Sequence, residues 1–504
     1  METLHSLGYG FSVSFQPVNL LYCFVGVLLG TLVGVLPGLG PSAAISLLLP
    51  TIFHAPPVAS LIMLVGICYG AQYGGSTTSI LLNIPGEASS VVTAFDGYQM
   101  ARKGRAGPAL GMAAFGSFIA GTFGVIGLML FAPTLAKAAL SFGPPEYFAL
   151  AVMSLTLVTY LTKGSVLRSL VMACVGIILS QTGMDPITSG FRLTFGLRAL
   201  TNGFDIVLVA MGLFGMSEVL LNIGVPSGQT SVPAADTRVK NLFPNRKDWR
   251  DSAKPIARGT LIGFFLGLIP GTGNAIPTFI SYALEKRFSK HPEKFGTGII
   301  EGVAGPESTN NASSSGTFIP LLSLGIPGNP STAILLGALM ILGFQPGPLL
   351  ISSNPDLFWG LLASMYTGNV MLLVLNLPLI GLWVKILKIP YSILSVLIML
   401  FCQIGAYSVN NNVTDVLIMN IFGLVGYLMK RYDFAAAPLI LAFILGSMLE
   451  KSLRQSLILS HGSPWIFFSR PLSLILLLVA ISMLISLAIS GRRIGAKAIE
   501  MKEA

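Results

Sequence analysis

Two stretches carry hydroxyls, amides and a carboxylate into otherwise apolar sequence: Gly70-Ala-Gln-Tyr-Gly-Gly-Ser-Thr-Thr-Ser79 and Gly305-Pro-Glu-Ser-Thr-Asn-Asn-Ala-Ser-Ser-Ser-Gly316. Such side chains offer hard oxygen ligands to a small cation and hydrogen bonds to a polyoxygenated molecule. Ser76, Thr77, Thr309, Asn310 and Asn311 are therefore expected to bind substrate or cation, with Ser313 and Ser314 as further ligands for a coupling ion. The stretches read as irregular backbone at membrane depth, which survives only where it lines a cavity. A solvated external loop is the competing reading. Against it, Gly316–Leu324 follows at once as an apolar run, and no Lys or Arg occurs between Lys294 and Lys385.

Beside these lie two Pro-Gly turns, PGLGPSA at Pro37–Ala43 and PGTGNAI at Pro270–Ile276. Glycine lets a ligand approach the backbone closely. The next helix is expected to begin at Ser42 or Asn274, both favoured N-cap types. A helix N-terminus carries about half a positive charge and free N–H donors, so it attracts anions. Gly38, Gly40, Pro41 and Ser42, with Gly271, Thr272, Gly273 and Asn274, are thus expected to hold carboxylates. Ordinary turns between helices would use the same residues. A further pair, Asn83-Ile-Pro-Gly-Glu87 and Gly325-Ile-Pro-Gly-Asn329, looks like helix ends beside the polar segments. Glu87 and Glu307 are candidate carriers of a proton or ion, because carboxylates near membrane depth are expensive and often functional. An interfacial position is the alternative for either.

The elements that position these residues must lie in a membrane. Of 504 residues, 53% are hydrophobic and 10% charged, against about 25% charged in a soluble protein. Mean hydropathy is +0.78. This excludes an ordinary cytosolic enzyme and a disordered chain, and leaves room for about a dozen spans of ~20 residues. The net charge of +10 is assigned to cytoplasmic loops rather than to nucleic acid. Four cysteines without CxxC spacing and four scattered histidines support neither a disulfide framework nor a zinc site. No basic region precedes the apolar run from Val18, which reads as retained rather than cleaved. Neither a P-loop nor a GxSxG elbow occurs, and Tyr432-Asp433 lacks a GxGD partner. The chain is expected not to be an enzyme and to need no cofactor beyond a coupling sodium ion or proton. An integral-membrane enzyme acting on lipids or peptides, and a passive anion channel, are the competing classes.

The two halves resemble each other. Gly34–Gly40 recurs as Gly267–Gly273, Ile84-Pro85-Gly86 as Ile326-Pro327-Gly328, and Gly97, Met100, Gly107 and Pro108 as Gly337, Met340, Gly347 and Pro348. Ordered matches at nearly one offset signal duplication. The expected organisation is a first membrane repeat over 1–222, a basic cytoplasmic connection over 223–258, a second repeat over 259–450, and a C-terminal membrane segment with a basic tail over 451–504. Residues 259–284 lie between two basic segments, so the stretch enters and leaves on one side. Its arms, 259–269 and 275–284, are about 15 Å each and reach only the middle of a ~30 Å core. Pro270–Asn274 is then the tip of a re-entrant hairpin. The first Lys or Arg of the chain is Arg102, so the equivalent N-terminal stretch has no positive flank. A hairpin opening to the other side fits, although 18–36 is long enough to cross fully. The fold class expected is an all-α polytopic membrane protein with two inverted repeats, re-entrant hairpins and broken helices.

In Gly34–Pro50, Tyr69–Glu87, Asp96–Pro108, Gly267–Pro277 and Glu301–Pro348 the chain resembles the large membrane subunit of the tripartite tricarboxylate transporters. The stretch GPESTNNASSSGTFIPLLSLGIPG, Gly305 to Gly328, is the most specific part of the likeness. The resemblance implies a secondary transporter of the bacterial inner membrane, working with a small membrane subunit and a periplasmic solute-binding protein. It implies tricarboxylates such as citrate, or related di- and monocarboxylates, as substrates, and sodium or protons as the driving ion. An elevator-like motion is expected by analogy with other hairpin-pair transporters.

Overall fold

The computed structural model describes residues 2–36, 39–52, 55–161, 165–185, 187–222, 239–386 and 391–486. Nearly every element in it is helical; the only sheet among the described residues is a pair of two-residue strands, Gly183–Met184 and Phe191–Arg192. Among the described residues, six helices are long and apolar enough to cross a membrane, and six shorter apolar helices accompany them. The chain forms two compact units, Met1–Ala139 with Ile206–Leu428, and Leu140–Asp205 with Met429–Ala504. Each draws on both halves of the sequence.

In the first unit the helices that matter here are α1 (Pro17–Gly34), α2 (Pro41–Leu48), α3 (Pro57–Leu82), α4 (Val91–Met100) and α5 (Ala106–Ala139), then α6 (Arg246–Gly267), α7 (Ala275–Phe288), α8 (Glu301–Leu324), α9 (Pro330–Ile341) and α10 (Pro355–Asn376). Helix α6 begins well before residue 259, started by the Asn245 side chain accepting from Asp248 N at 2.9 Å, so the last part of the stretch read as a connecting loop is helical. The arm expected to be about 15 Å is a helix of 22 residues, about 33 Å, which removes the length argument for a re-entrant turn.

Glycine spacing explains why α1 packs on α3 and α6 on α8. Gly26, Gly30 and Gly34 recur every fourth residue and so line one stripe of α1. A Cβ on any of them would overlap the backbone carbonyl of Met63, Ile67 or Ala71 in α3. Gly259, Gly263 and Gly267 of α6 meet the carbonyls of Gly305, Thr309 and Ser313 in α8 in the same way. The first set of glycines lies 233 residues before the second, and the first set of partners 242 before the second, the same two offsets that the sequence motifs show. Without a hydrophobic drive in lipid, such backbone-to-backbone approach supplies the van der Waals contact that joins helices.

The repeat extends to the breaks. Helix α3 ends at Asn83 and α8 at Gly325, both left-handed with φ of 58° and 71°. Four residues on, Glu87 and Asn329 stand at N-caps, each in a capping box, with Ser90 and Thr332 respectively. The equivalent helices α3 and α8 then cross each other. Tyr69 pairs with Ser315 at 2.8 Å, Gln72 with Ser314 at 2.9 Å and Ser76 with Glu307 at 2.8 Å. Residue numbers rise along one helix as they fall along the other, so the two run antiparallel and the repeats are inverted.

The second unit packs Ala436–Leu459 along Val166–Ser180 through a core of Leu155, Ala173, Ala442 and Leu445. Beyond the end of Val166–Ser180, the short strands carry Asp185 and Arg192 into an ion cluster with Glu450 and Arg454.

Candidate functional site

The polar stretches are not irregular backbone. Gly70–Ser79 lies inside the 26-residue helix α3, and Gly305–Gly316 inside the 24-residue helix α8, almost every residue of which is buried. The expectation of freed carbonyls at these two places is therefore corrected. Helix formation satisfies the backbone internally, which a low-dielectric surrounding demands more strongly than the weak helix propensity of Gly, Ser, Thr and Asn opposes it. What these stretches contribute is side chains. Beside the polar centre, helices break after α3, α6 and α8.

Three clusters form along the crossing of α3 and α8. At the tip of the second hairpin, Gly271 N donates to Gly328 O at 2.9 Å, which ties the α6–α7 turn to the break after α8. Asn274 Nδ2 donates to Ser314 Oγ at 2.7 Å, Ser313 Oγ donates to Gly273 O at 3.3 Å, and Asn329 Nδ2 approaches Asn274 Oδ1 at 3.4 Å. Gly271 and Gly273 have φ of 89° and 59°, and a Cβ on Gly273 meets no atom within 4 Å. The tip thus faces open space, in a conformation that favours glycine.

The second cluster surrounds Glu87. Its Oε1 accepts from Ser89 Oγ at 2.5 Å and from Asn310 Nδ2 at 2.8 Å. Gly40, which precedes α2, lies against it, since a Cβ there would meet Glu87 Cβ at 3.5 Å. The third cluster surrounds Glu307, which accepts hydroxyl bonds from Thr93 at 2.5 Å, Ser76 at 2.8 Å and Ser117 at 3.4 Å. Beside it a cavity of about 10 Å³, room for about one water, is lined by Tyr73, Ser76, Thr77, Ser117 and Asn376. Both glutamates are bonded only to hydroxyls, an amide and local backbone; among the described residues neither joins an ion pair. Two amide oxygens in the same region, Asn310 Oδ1 and Asn311 Oδ1, are buried and have no hydrogen-bond partner.

Of the residues singled out from sequence, Gly40, Ser76, Thr77, Glu87, Gly271, Gly273, Asn274, Glu307, Asn310, Ser313 and Ser314 belong to these clusters. Asn311 donates to Glu307 O at 3.3 Å. Thr309 is turned to the α6–α8 crossing, where its hydroxyl donates to Gly259 O at 3.0 Å and Gly305 O at 2.8 Å. Thr272 closes its own turn by donating to Leu266 O and Ile269 O at 2.8 and 2.9 Å. Gly38 lies outside the described residues. Ser42 is not the cap of its helix: α2 begins at Pro41 with Gly40 as N-cap, because proline suits the first helical position. Asn274 does hold the N-cap position of α7, yet its amide bonds Ser314 rather than its own helix.

Sequence reasoning missed several participants, among them Ser89 beside Glu87 and Tyr73 and Asn376 at the small cavity. Gln72 and Asn329 stand inside the quoted motifs without being singled out there. Thr93 and Ser117 are single hydroxyls in apolar helices, and only the fold brings them to Glu307.

The second unit holds a cavity of about 320 Å³ at its ion cluster. Asp185 there accepts from the Thr188 hydroxyl, from Ile187 N at 3.0 Å, and from Arg192 and Arg454. These donors, the hydroxyl foremost, hold its carboxyl well below the usual carboxylate range. Acids and bases neutralise one another in this cluster, and none of the unpartnered buried atoms lies in it.

The model of the tripartite tricarboxylate transporter TctA family matches residues 20–441. An Agrobacterium vitis protein described as an uncharacterized 52.8 kDa protein in the TAR-I ttuC′ 3′ region is 51% identical over 482 residues, covering 96% of this chain and 95% of that protein. A second protein of that organism, from the TAR-II ttuC′ 3′ region, is 50% identical over 215 residues, covering 43% of this chain and 89% of its own length. No solved structure matches.

Proposed function

The chain belongs to the tripartite tricarboxylate transporter TctA family, and from that premise we propose that it is the large membrane subunit of a cation-coupled importer of organic carboxylates. The substrates are tricarboxylates such as citrate or related smaller carboxylates. The subunit works in a bacterial inner membrane beside a small membrane subunit, and a periplasmic solute-binding protein delivers the substrate. The chemistry is transport rather than covalent catalysis.

One observation carries the coupling: among the described residues the polar centre holds a buried glutamate, Glu307, and a half-buried one, Glu87, and no basic residue joins them. Two unit charges about 6 Å apart in a medium of effective dielectric about 20 interact by about 3 kcal/mol. A helix N-terminus returns about 0.3–1 kcal/mol, and at most about 2. The helix ends at the hairpin tips therefore cannot by themselves seat a di- or trianion beside ionised Glu87 and Glu307. Positive charge has to arrive with the substrate, as a proton on a glutamate or a metal ion beside one. Anion and cation then lower each other's cost of leaving water, and neither crosses well alone. Backbone amides near Gly38–Ser42 and Gly271–Asn274 hold carboxylates, and the hydroxyls and amides of α3 and α8 complete the site. Movement of the hairpin pair as an elevator carries both ligands across.

The test is uptake of radiolabelled citrate and a panel of dicarboxylates into proteoliposomes holding the chain, its small subunit and the cognate binding protein. Accumulation that requires an imposed sodium or proton gradient and the binding protein supports this function. Equilibration down the substrate gradient with no ion requirement would make the protein a channel instead.

A further inference from the structure

The inverted repeats place Glu87 and Asn329 at equivalent N-caps, and the two differ by a full charge. We propose that this difference divides the ligands between the halves: a small monovalent metal cation binds at the first half, between the Glu87 carboxylate and Asn310 Oδ1, while a substrate carboxylate binds at the second half, against Gly273, Asn274 and Asn329. The proposal deepens the transport reading and rests on it.

The first end is rich in acceptors. Asn310 Nδ2 donates to Glu87 at 2.8 Å. Its Oδ1 is the other end of that amide, and it is buried and has no partner, with Asn310 1% exposed. Exchanging the two amide atoms would press an oxygen against the carboxylate, so the orientation is set by charge. An unsatisfied buried carbonyl next to an unpaired carboxylate costs free energy that a bound cation recovers. Both are hard oxygen donors, which suit sodium-like ions and not soft metals. Glu307 differs from Glu87 in this respect: three hydroxyls already donate to it, from Ser76, Thr93 and Ser117.

The second end has the opposite character. Asn329 takes the place of the acid, Asn274 and Asn329 both bring N–H₂ groups, and left-handed Gly271 and Gly273 shape a turn open on one side. Donors without a carboxylate suit an anion. A carboxylate at position 329 would repel what the first end's cation helps to bring in.

The experiment uses the full chain in detergent, with thermal unfolding followed as sodium chloride replaces choline chloride at constant ionic strength, and again as citrate is added in sodium. Wild type is expected to gain stability from sodium and further stability from citrate, since each ligand binds the folded form. Glu87→Gln keeps the shape and the Asn310 contact but loses the charge. Its sodium affinity is expected to fall about tenfold or more, the scale of one charge-assisted contact. Asn329→Asp is expected to keep the sodium response and lose the citrate response. A Glu87→Gln protein that responds to sodium like wild type overturns the proposal, as does an Asn329→Asp protein that loses sodium and keeps citrate. Wild type that binds no sodium at pH 6 or pH 8, measured also with radioactive sodium, overturns it in favour of a proton. If Glu87→Gln does not purify folded, Asn310→Ser replaces it, with the same expected loss of sodium affinity and the same overturning result. Sodium binding with the expected variant pattern, but no carboxylate accumulation by the complete system in proteoliposomes, would leave the cation site standing and remove the transport reading.

Discussion

The two halves of the first unit share a scaffold and differ in chemistry. Gly26, Gly30 and Gly34 do for α1 and α3 what Gly259, Gly263 and Gly267 do for α6 and α8. The position equivalent to the buried acid Glu307 is Val65, and the position equivalent to Asn310 is Cys68. Duplication has kept the residues whose size sets how close two helices come, and released those whose polarity sets what binds. Backbone approach tolerates no added atom, whereas a polar group need only find a partner, and it finds one in either half.

The largest effects should test the shared scaffold. Gly30→Leu and Gly263→Leu each force a side chain into a backbone carbonyl of the facing helix, and each is expected to cost more than about 3 kcal/mol, since the backbone cannot yield as a side chain does. Yield of monodisperse protein and its unfolding temperature read this. Matched losses support the equivalence, and a silent member of the pair breaks it.

Next comes the point where equivalent residues part. Gly273 has φ of 59° and open space beyond its Cβ direction, while its counterpart Gly40 has φ of −74°. Gly273→Leu should abolish uptake while the protein still inserts, because the side chain fills the space before the tip. With alanine, the left-handed position is expected to cost roughly 1–2 kcal/mol and the Gly40 position much less. Unfolding temperatures of the two alanine variants check the contrast, and normal uptake by Gly273→Leu would remove the tip from the site.

A smaller effect sharpens the crossing itself. Ser315→Ala removes one hydrogen bond between the halves, to Tyr69, and should cost about 1 kcal/mol in stability. Tyr69→Phe should cost a similar amount, and the double variant little more than either alone. Additive losses in that cycle would mean that the two side chains do not pair.

The least effect at neutral pH lies in the second unit, where charges are paired rather than poised. Asp185 has its carboxyl depressed below the usual range, so its stabilisation is present above the unfolded-state value near 4 and is lost as pH falls through the folded one. Wild type should lose thermal stability progressively below about pH 4. Asp185→Asn should be less stable at neutral pH and show a shallower acid dependence, which a pH series of unfolding temperatures reads directly.

Much of this was legible in the residues. Composition gives the all-α membrane class, and the Gly-Pro motifs give the duplication, because glycine at a helix crossing and proline at a break answer to geometry that no other residue meets. The polar runs were read as irregular, because local propensity in water argues against helix for Ser308–Ser315, whereas burial reverses that preference. Two of the three hydroxyl partners of Glu307 were not legible. Thr93 and Ser117 lie far from residue 307 in sequence, in helices whose pattern is apolar, and only the inverted crossing brings them together. Ser42 was assigned a cap on residue type, and Pro41 one position earlier decided otherwise.

Helix α8 also bears on how the chain is made. It carries Glu307, Asn310, Asn311 and a run of hydroxyls, is shielded along nearly its whole length, and is not among the helices apolar enough to cross a membrane. Lipid would reject it, so it has to be handed to protein instead. The surfaces that receive it, on α5 and α6 with α3 crossing them, are synthesised first. The central helix of the second half thus depends for its place on helices that precede it in the chain, α6 of its own half and α5 of the first.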